Sequence, residues 1–360
     1  MYQFYSTTRL LGTFRLSFEH MIEQATLLRL ARDFANRKVK ERPSLKAVVL
    51  AGSVARGEPP LGDAVDLDII LIDDFIPDPP CESVRLSDNV FVDAVFVSTA
   101  DYVDRKALRV RHFTAPALND ALILHDPRHY FDILQASIRA PYNKPDNIYA
   151  RARSAFSEAQ RSVDRLSLWR EDPSPALPSF DLLSDLRQAL AFTAHSIILL
   201  SGQPGDAVGA RKLMVRFEAA ARRHQPELYP LSLAALGVSD VQSSTVESML
   251  TDWLTLYKSA NHRGVTDPLV HPAKRGYYER GFRALLAEGH AINTLWLVEA
   301  TLAACVCDLD PLPESWLNYR QTTGKYSGVE FVERIRQAEQ LVALADETLI
   351  AWAKKESVEW

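Results

Sequence analysis

Cysteine is scarce. There are three in 360 residues, an odd number that offers no disulfide framework. Cys305-Val306-Cys307 lacks the second ligand pair of a structural zinc site, so the three thiols are expected to be reduced and packed in the core. Cations are not in excess either. With 41 Lys and Arg against 46 Asp and Glu, the formal charge is −5, which argues against a nucleic-acid partner, since such proteins carry a basic footprint. Any polyanion site must then be local. Long hydrophobic runs are also missing: the most apolar one, Leu295 to Cys307, is interrupted by Glu299 and falls short of the ~20 residues a bilayer span requires. The opening stretch MYQFYSTTRLLGTFRLSF lacks the basic start, apolar run and small-residue cleavage site of a signal peptide. No membrane association and a cytoplasmic location are therefore expected. Repeats and low-complexity tracts are absent. What remains is a chain with 47% apolar and 24% charged residues, enough for a large core and long enough for about two domains.

The chemistry concentrates between Lys46 and Ile72. Ala47-Val48-Val49-Leu50-Ala51 is short, apolar and β-branched and stops at Gly52-Ser53, which predicts a buried strand breaking sharply at the glycine. Ser53 is expected to cap a short helix through Val54-Ala55-Arg56, so that backbone N–H groups converge on a point suited to a phosphate. The segment from Glu58 to Ala64, with two prolines and a glycine, reads as a loop leading into a second strand, Val65 to Ile72. Residues two apart in a strand share a face, so Asp66 and Asp68 project together while Val65, Leu67, Ile69 and Leu71 bury the other side. Like charges forced together favour a cation between them, and oxygen-only ligands favour Mg²⁺ or Mn²⁺.

Gly52-Ser53, twelve intervening residues and Asp66-x-Asp68 in an apolar strand resemble the signature of the nucleotidyltransferase superfamily, the DNA polymerase β-like fold that also includes kanamycin nucleotidyltransferase. That family has a third carboxylate on a following strand. Here Asp93 is the only charge in the apolar run Val90 to Val97. Taken singly, the pieces have plainer readings: solvated edge-strand acids, a polar strand end, an ordinary turn. Their order, spacing and strand context together favour catalysis.

The rest of the chain is read more coarsely. Leu16 to Arg42 shows helical spacing with a basic tail, expected to be a solvated face. Asp73 to Ser87 reads as a loop, Thr99 to Leu108 as a capped helix, Ala121 to Asp126 as a strand and Tyr130 to Ser137 as a helix. This completes a small mixed sheet with helices on one side. Beyond Pro141 and Pro145 only helical periods appear, over 147–170, 181–201, 206–224, 242–259, 276–304 and 328–355. The expected class is α+β: a small mixed-sheet domain over 1–142 and an all-helical domain over 143–360.

The resemblance implies transfer of a nucleoside monophosphate, from ATP or another nucleoside triphosphate, to a hydroxyl of a small acceptor. It implies Asp66, Asp68 and Asp93 as ligands of Mg²⁺ or Mn²⁺, with Asp93 also the general base. Gly52 and Ser53 would cradle the β- and γ-phosphates, and Arg56 would add a cation. Ser201-Gly202-Gln203-Pro204 followed by Arg211-Lys212 is similar to a Gly-x-Pro turn and helix lysine near the phosphates in small bacterial members. Lys212, Arg216 and Arg223 fall on one helix side, although an exposed basic face is the alternative and is preferred for Arg223. A second cluster, Ala273 to Arg283, interleaves aromatic and basic residues, for which a helix with snorkelling arginines is the favoured account. His262 and His271 read as ordinary polar histidines. A protein or RNA hydroxyl as acceptor, or nucleotide binding without turnover, stays open, as does oligomeric state.

Overall fold

The computed structural model describes residues 22–174, 176–203, 205 and 209–358. The chain is α+β. It runs α1 (Gln24–Glu41), β1 (Ala47–Ala51), α2 (Gly52–Ala55), β2 (Val65–Asp73), β3 (Cys81–Arg85), β4 (Val90–Ser98), α3 (Arg105–Val110), α4 (Thr114–Asp120), β5 (Leu122–His125) and α5 (Tyr130–Arg139). Among the described residues only helices follow: α6 (Pro145–Glu171), α7 (Phe180–Leu199), α8 (Leu213–His224), α9 (Leu228–Leu236), α10 (Ser243–Arg263), α11 (Arg275–Ala287), α12 (Leu295–Val306), α13 (Glu314–Thr322) and α14 (Gly328–Lys355). Among the described residues, no helix is long and apolar enough to cross a membrane. Leu16, Phe18 and Met21 of the expected first helix lie outside the described residues.

The five strands form one mixed sheet in the order β3-β4-β2-β1-β5, with β2 and β4 parallel and the other pairs antiparallel. The period-two alternation sorts its side chains. Val48, Leu50, Leu67, Ile69, Val92 and Ala94 pack on one face with Leu27, Ala31 and Phe34 of α1. Ala47, Val49 and Ile72 point the other way, onto Leu108, Leu118, Phe131 and Leu134 of α3, α4 and α5. Helices therefore cover both faces, not one as expected. β2 and β1 are apolar on both sides at their inner ends, and both sides have to be buried.

Three further expectations are corrected. The proline- and acid-rich stretch after β2 contains the edge strand β3, whose half-exposed residues carry too weak an apolar alternation to show in the sequence. The helix expected over 276–304 is two, parted at Gly289, which adopts φ 82, a left-handed conformation open to glycine at no steric cost. Of the thiols, Cys305 alone is core-packed. Cys81 and Cys307 are exposed because one opens the edge strand and the other ends α12.

The helical part has a large continuous core. α6 and α7 run against each other, and α14 lies against α6, α7 and α9. α14 starts at a capping box, where the side chains of Ser327 and Glu330 accept from each other's backbone N–H groups and so pair two of the donors a helix start leaves unsatisfied.

Candidate functional site

Strand register builds a row of side chains across four strands. Ala51 of β1 lies opposite Asp68 of β2, Asp68 opposite Asp93 of β4, and Asp93 opposite Ser83 of β3. Neighbours in such a row share a face, so Ser83, Asp93 and Asp68 stand side by side, with Asp66 two residues from Asp68 on the same face. This is the face turned away from α1. Gly52 follows Ala51 with φ 73, and a Cβ there would collide with Asp68 Oδ2. Glycine is thus required twice, for its dihedral and for the closeness of a carboxylate. α2 begins two residues earlier than expected, at Gly52, and its cap is Ala51 with no side-chain hydrogen bond. Ser53 therefore does not cap the helix but sits in its first turn, lining the same cleft.

The carboxylates are electrostatically unlike. Burial, and after it the charges of Asp66 and Asp93, push the Asp68 carboxyl well above the usual range, while Arg56 and Lys274 pull it back. Asp93 is tethered on both oxygens: Ser83 Oγ donates to Oδ1 at 2.5 Å, and Lys274 Nζ sits 2.9 Å from Oδ2. Lys274 stands just before α11, whose Tyr277 meets Phe91 edge-on at 6.2 Å between ring centres. Burial, the charges of Asp66 and Asp68 and a hydrogen bond to Asp66 hold the Tyr277 hydroxyl well above its ordinary pKa, against the pull of Arg211.

Arg211 fixes this lid-like corner. Its guanidinium lies 3.3 Å from the Tyr277 ring centre and donates to the carbonyls of Leu61, Ala64 and Tyr277 at 3.1, 2.9 and 3.0 Å. It thereby ties the loop before β2 to α11.

A cleft of about 600 Å³ runs over the carboxylate row. At its other side Glu58 gathers cations. Arg56 Nε lies 2.8 Å, Lys212 Nζ 3.3 Å and Arg216 Nη2 3.4 Å from its carboxylate. Arg56 Nη1 is also 3.6 Å from Asp120 Oδ2. Burial alone would raise the Glu58 pKa, but the hydrogen bonds and charges of Arg56 and Lys212 more than reverse it and hold it low.

All seven residues singled out in the sequence, Gly52, Ser53, Arg56, Asp66, Asp68, Asp93 and Lys212, line this cleft. Arg223 is exposed on the last turn of α8 and does not line it. Sequence reasoning undervalued the cluster after Ala273, since Lys274, Tyr277 and Tyr278 face the carboxylates rather than solvent. Their spacings of three and four place them on one helix face, a signal that was present but pointed to no partner. Glu58, Ser83 and Asp120 gave none.

Oxygen-only donors, with a carboxylate driven toward protonation by its neighbours, suit a hard divalent cation in their chemistry. The side chains do not yet converge on one point: among the described residues, no three His, Cys, Asp or Glu groups are close enough to hold a metal ion. Asp93 is turned to Lys274 and Ser83 instead, and the ammonium supplies the local positive charge.

No family model matches the chain, and no curated protein matches it. Among solved structures it is similar to a nucleotidyltransferase-like protein from Exiguobacterium sibiricum 255-15, at 12% identity over 77% of each chain and a TM-score of 0.32. A likeness at that level says nothing of chemistry, which rests on the residues themselves.

Proposed function

We propose that this chain is a nucleotidyltransferase of the DNA polymerase β-like superfamily, moving a nucleoside monophosphate from ATP or another triphosphate to a hydroxyl of a small acceptor. Residues 1–142 would be its catalytic domain and 143–360 a helical domain closing over it. The observation that carries the reading is the register Asp68 to Asp93, with Asp66 on the same face and Gly52 held against Asp68. That arrangement puts three carboxylates beside a turn able to receive phosphate, under one cleft.

Asp66, Asp68 and Asp93, once Asp93 parts from Lys274, would hold Mg²⁺ or Mn²⁺, which when bound neutralises phosphate charge and lowers the pKa of a coordinated hydroxyl. The residues do the following. Gly52 and Ser53 receive the β- and γ-phosphates through backbone N–H groups and the serine hydroxyl. Arg56 and Lys212 add positive charge on the leaving side. Asp93 accepts the acceptor's proton as the new O–Pα bond forms and the bond from Pα to the bridging oxygen breaks, releasing pyrophosphate. Tyr277 and Arg211 hold the carboxylate edge of the cleft in place.

The test is incubation with α-labelled ATP, Mg²⁺ and a metabolite pool, followed by mass spectrometry. Label should move to a hydroxyl compound with one pyrophosphate released per transfer, and Asp68→Asn should stop it. Equal transfer by wild type and Asp68→Asn would overturn the reading.

A further inference from the structure

Glu58 is an acid placed where an anionic substrate would be expected to find only bases. Its carboxylate collects three cations: Arg56 from the end of α2, Lys212 from the turn before α8 and Arg216 from α8 itself. Arg216 is carried on α8 and Lys212 on the turn that opens it, and Arg56, which follows α2, is held by Asp120 at 3.6 Å. Glu58 is not so carried. It follows Gly57, which adopts φ 71 with open space where a Cβ would be, and precedes Pro59-Pro60 in a loop. One backbone bond, from its N–H to Ser53 O at 3.0 Å, ties it back. Among these four groups the acid is the one placed on the loop, between Gly57 and Pro59-Pro60. It is held ionised by the cations it gathers, and it lines the same cleft as Gly52, Ser53 and the carboxylate row.

A carboxylate sharing three cations at one side of that cleft has the charge and the hydrogen-bonding pattern of a phosphate oxygen pair. Resting on the nucleotidyl-transfer reading, we infer that Glu58 is a placeholder. It occupies the polyphosphate's place in the free protein, keeps Arg56, Lys212 and Arg216 gathered there, and is displaced when the substrate's phosphates arrive. Every anion that uses the three cations must first break the same contacts, so Glu58 lowers the affinity of all of them by a common factor. Weak anions then leave the site empty, and pyrophosphate is helped out as Glu58 returns.

The opposite role is that Glu58 organises the cations and is needed for anion binding. The two predict opposite signs. Calorimetry with inorganic tripolyphosphate should show Glu58→Gln binding about tenfold more tightly than wild type, as the ionic contacts of the carboxylate no longer have to be broken. Glu58→Asp, which keeps the competing charge, should stay nearer wild type, and Lys212→Met should bind more weakly. Thermal melts of each variant identify any that fail to fold; should Glu58→Gln be one, Glu58→Ala, which also removes the competing charge, carries the test with the same expected sign. Unchanged or weaker binding by a folded Glu58→Gln, with wild-type transfer intact, overturns the placeholder alone. A wild type that binds no tripolyphosphate at millimolar concentration overturns both the placeholder and the nucleotidyl-transfer reading.

Discussion

Two of the lysine–carboxylate pairs are built from the same kinds of charged group and sit in opposite surroundings. In the helical part, Lys325 and Glu299 are both 0% exposed. Lys325 also donates to Leu236 O at 2.6 Å, and Tyr319 donates to the same Glu299 oxygen at 3.1 Å. In the cleft, Lys274 and Asp93 are 19% and 32% exposed, and two more carboxylates stand beside them. The first pair is a closed network whose members need one another, because a charge stranded in a core has no water to turn to. The second has more acid than base and is reachable by solvent, and under the proposed reading it exchanges its cation. Burial and charge balance, not residue type, separate structural pairs from functional ones.

The largest expected effect lies in the cleft. Asp68→Asn keeps the side-chain volume but removes the central charge of the row, and should lower transfer by about a thousandfold or more, on the order of 4 kcal/mol of barrier. The protein should fold as well as wild type or better, since the carboxylate's two like-charged neighbours lose a repulsive partner. Labelled-nucleotide transfer and a thermal melt measured together check this. A loss of stability matching the loss of activity would break the comparison by making Asp68 structural.

Lys325→Met should do the reverse. It strands Glu299 in the core and should cost about 3–5 kcal/mol of stability, measured by urea denaturation, with transfer in the remaining folded fraction close to normal. The double variant Lys325→Met with Glu299→Gln should recover part of the loss, because the acid stranded by the first change is gone, whereas the half-buried Arg187, whose charge also faces Glu299, then loses it. A single variant as stable as wild type would show that the buried pair is dispensable.

Proton linkage distinguishes the regions more finely. Asp68 holds its proton more tightly in the folded, metal-free protein than in the unfolded chain, where its ordinary value is 3.8. The folded state therefore binds more protons through that window, and this group's contribution to stability is full below pH 3.8 and is lost as pH rises through the raised folded value. Urea titrations in chelator should show that Asp68→Asn lacks this falling component, so that its stability relative to wild type improves as pH rises. A constant difference across the window would show that Asp68 is not strained by its neighbours.

Much of the cleft was legible because it is local. Gly52, Asp66 and Asp68 lie within seventeen residues of one another, and strand periodicity alone puts the two acids on one face. Asp93 could be read as the lone charge in an apolar strand. What the sequence hid depends on pairing between distant segments. β3 is too exposed to show a pattern, so Ser83 could not be placed opposite Asp93. Tyr277 sits on an amphipathic helix and Lys274 just before it, in letters that are equally those of a solvated surface, and only the packing of Tyr277 on Phe91 and under Arg211 turns them toward the acids. The covering of both sheet faces was hidden for the same reason, whereas the break at Gly289 is local, set by a glycine already in view.

The smallest expected effect on folding sharpens the comparison most. Lys274→Met removes the cation from Asp93 just as Lys325→Met removes one from Glu299, yet the consequences for stability should differ severalfold. Asp93 is about a third exposed and keeps the Ser83 hydroxyl on its other oxygen, so water and one hydrogen bond can serve the carboxylate that remains. Half-exposed ion pairs contribute about 0–1 kcal/mol, and the folding cost should fall in that range. Mn²⁺ affinity, read by electron paramagnetic resonance, should rise in Lys274→Met, since the ion no longer competes with an ammonium for Asp93. A folding cost as large as that of Lys325→Met, or weaker Mn²⁺ binding in a folded variant, would mean that Lys274 is part of the scaffold of the cleft and not an exchangeable cation within it.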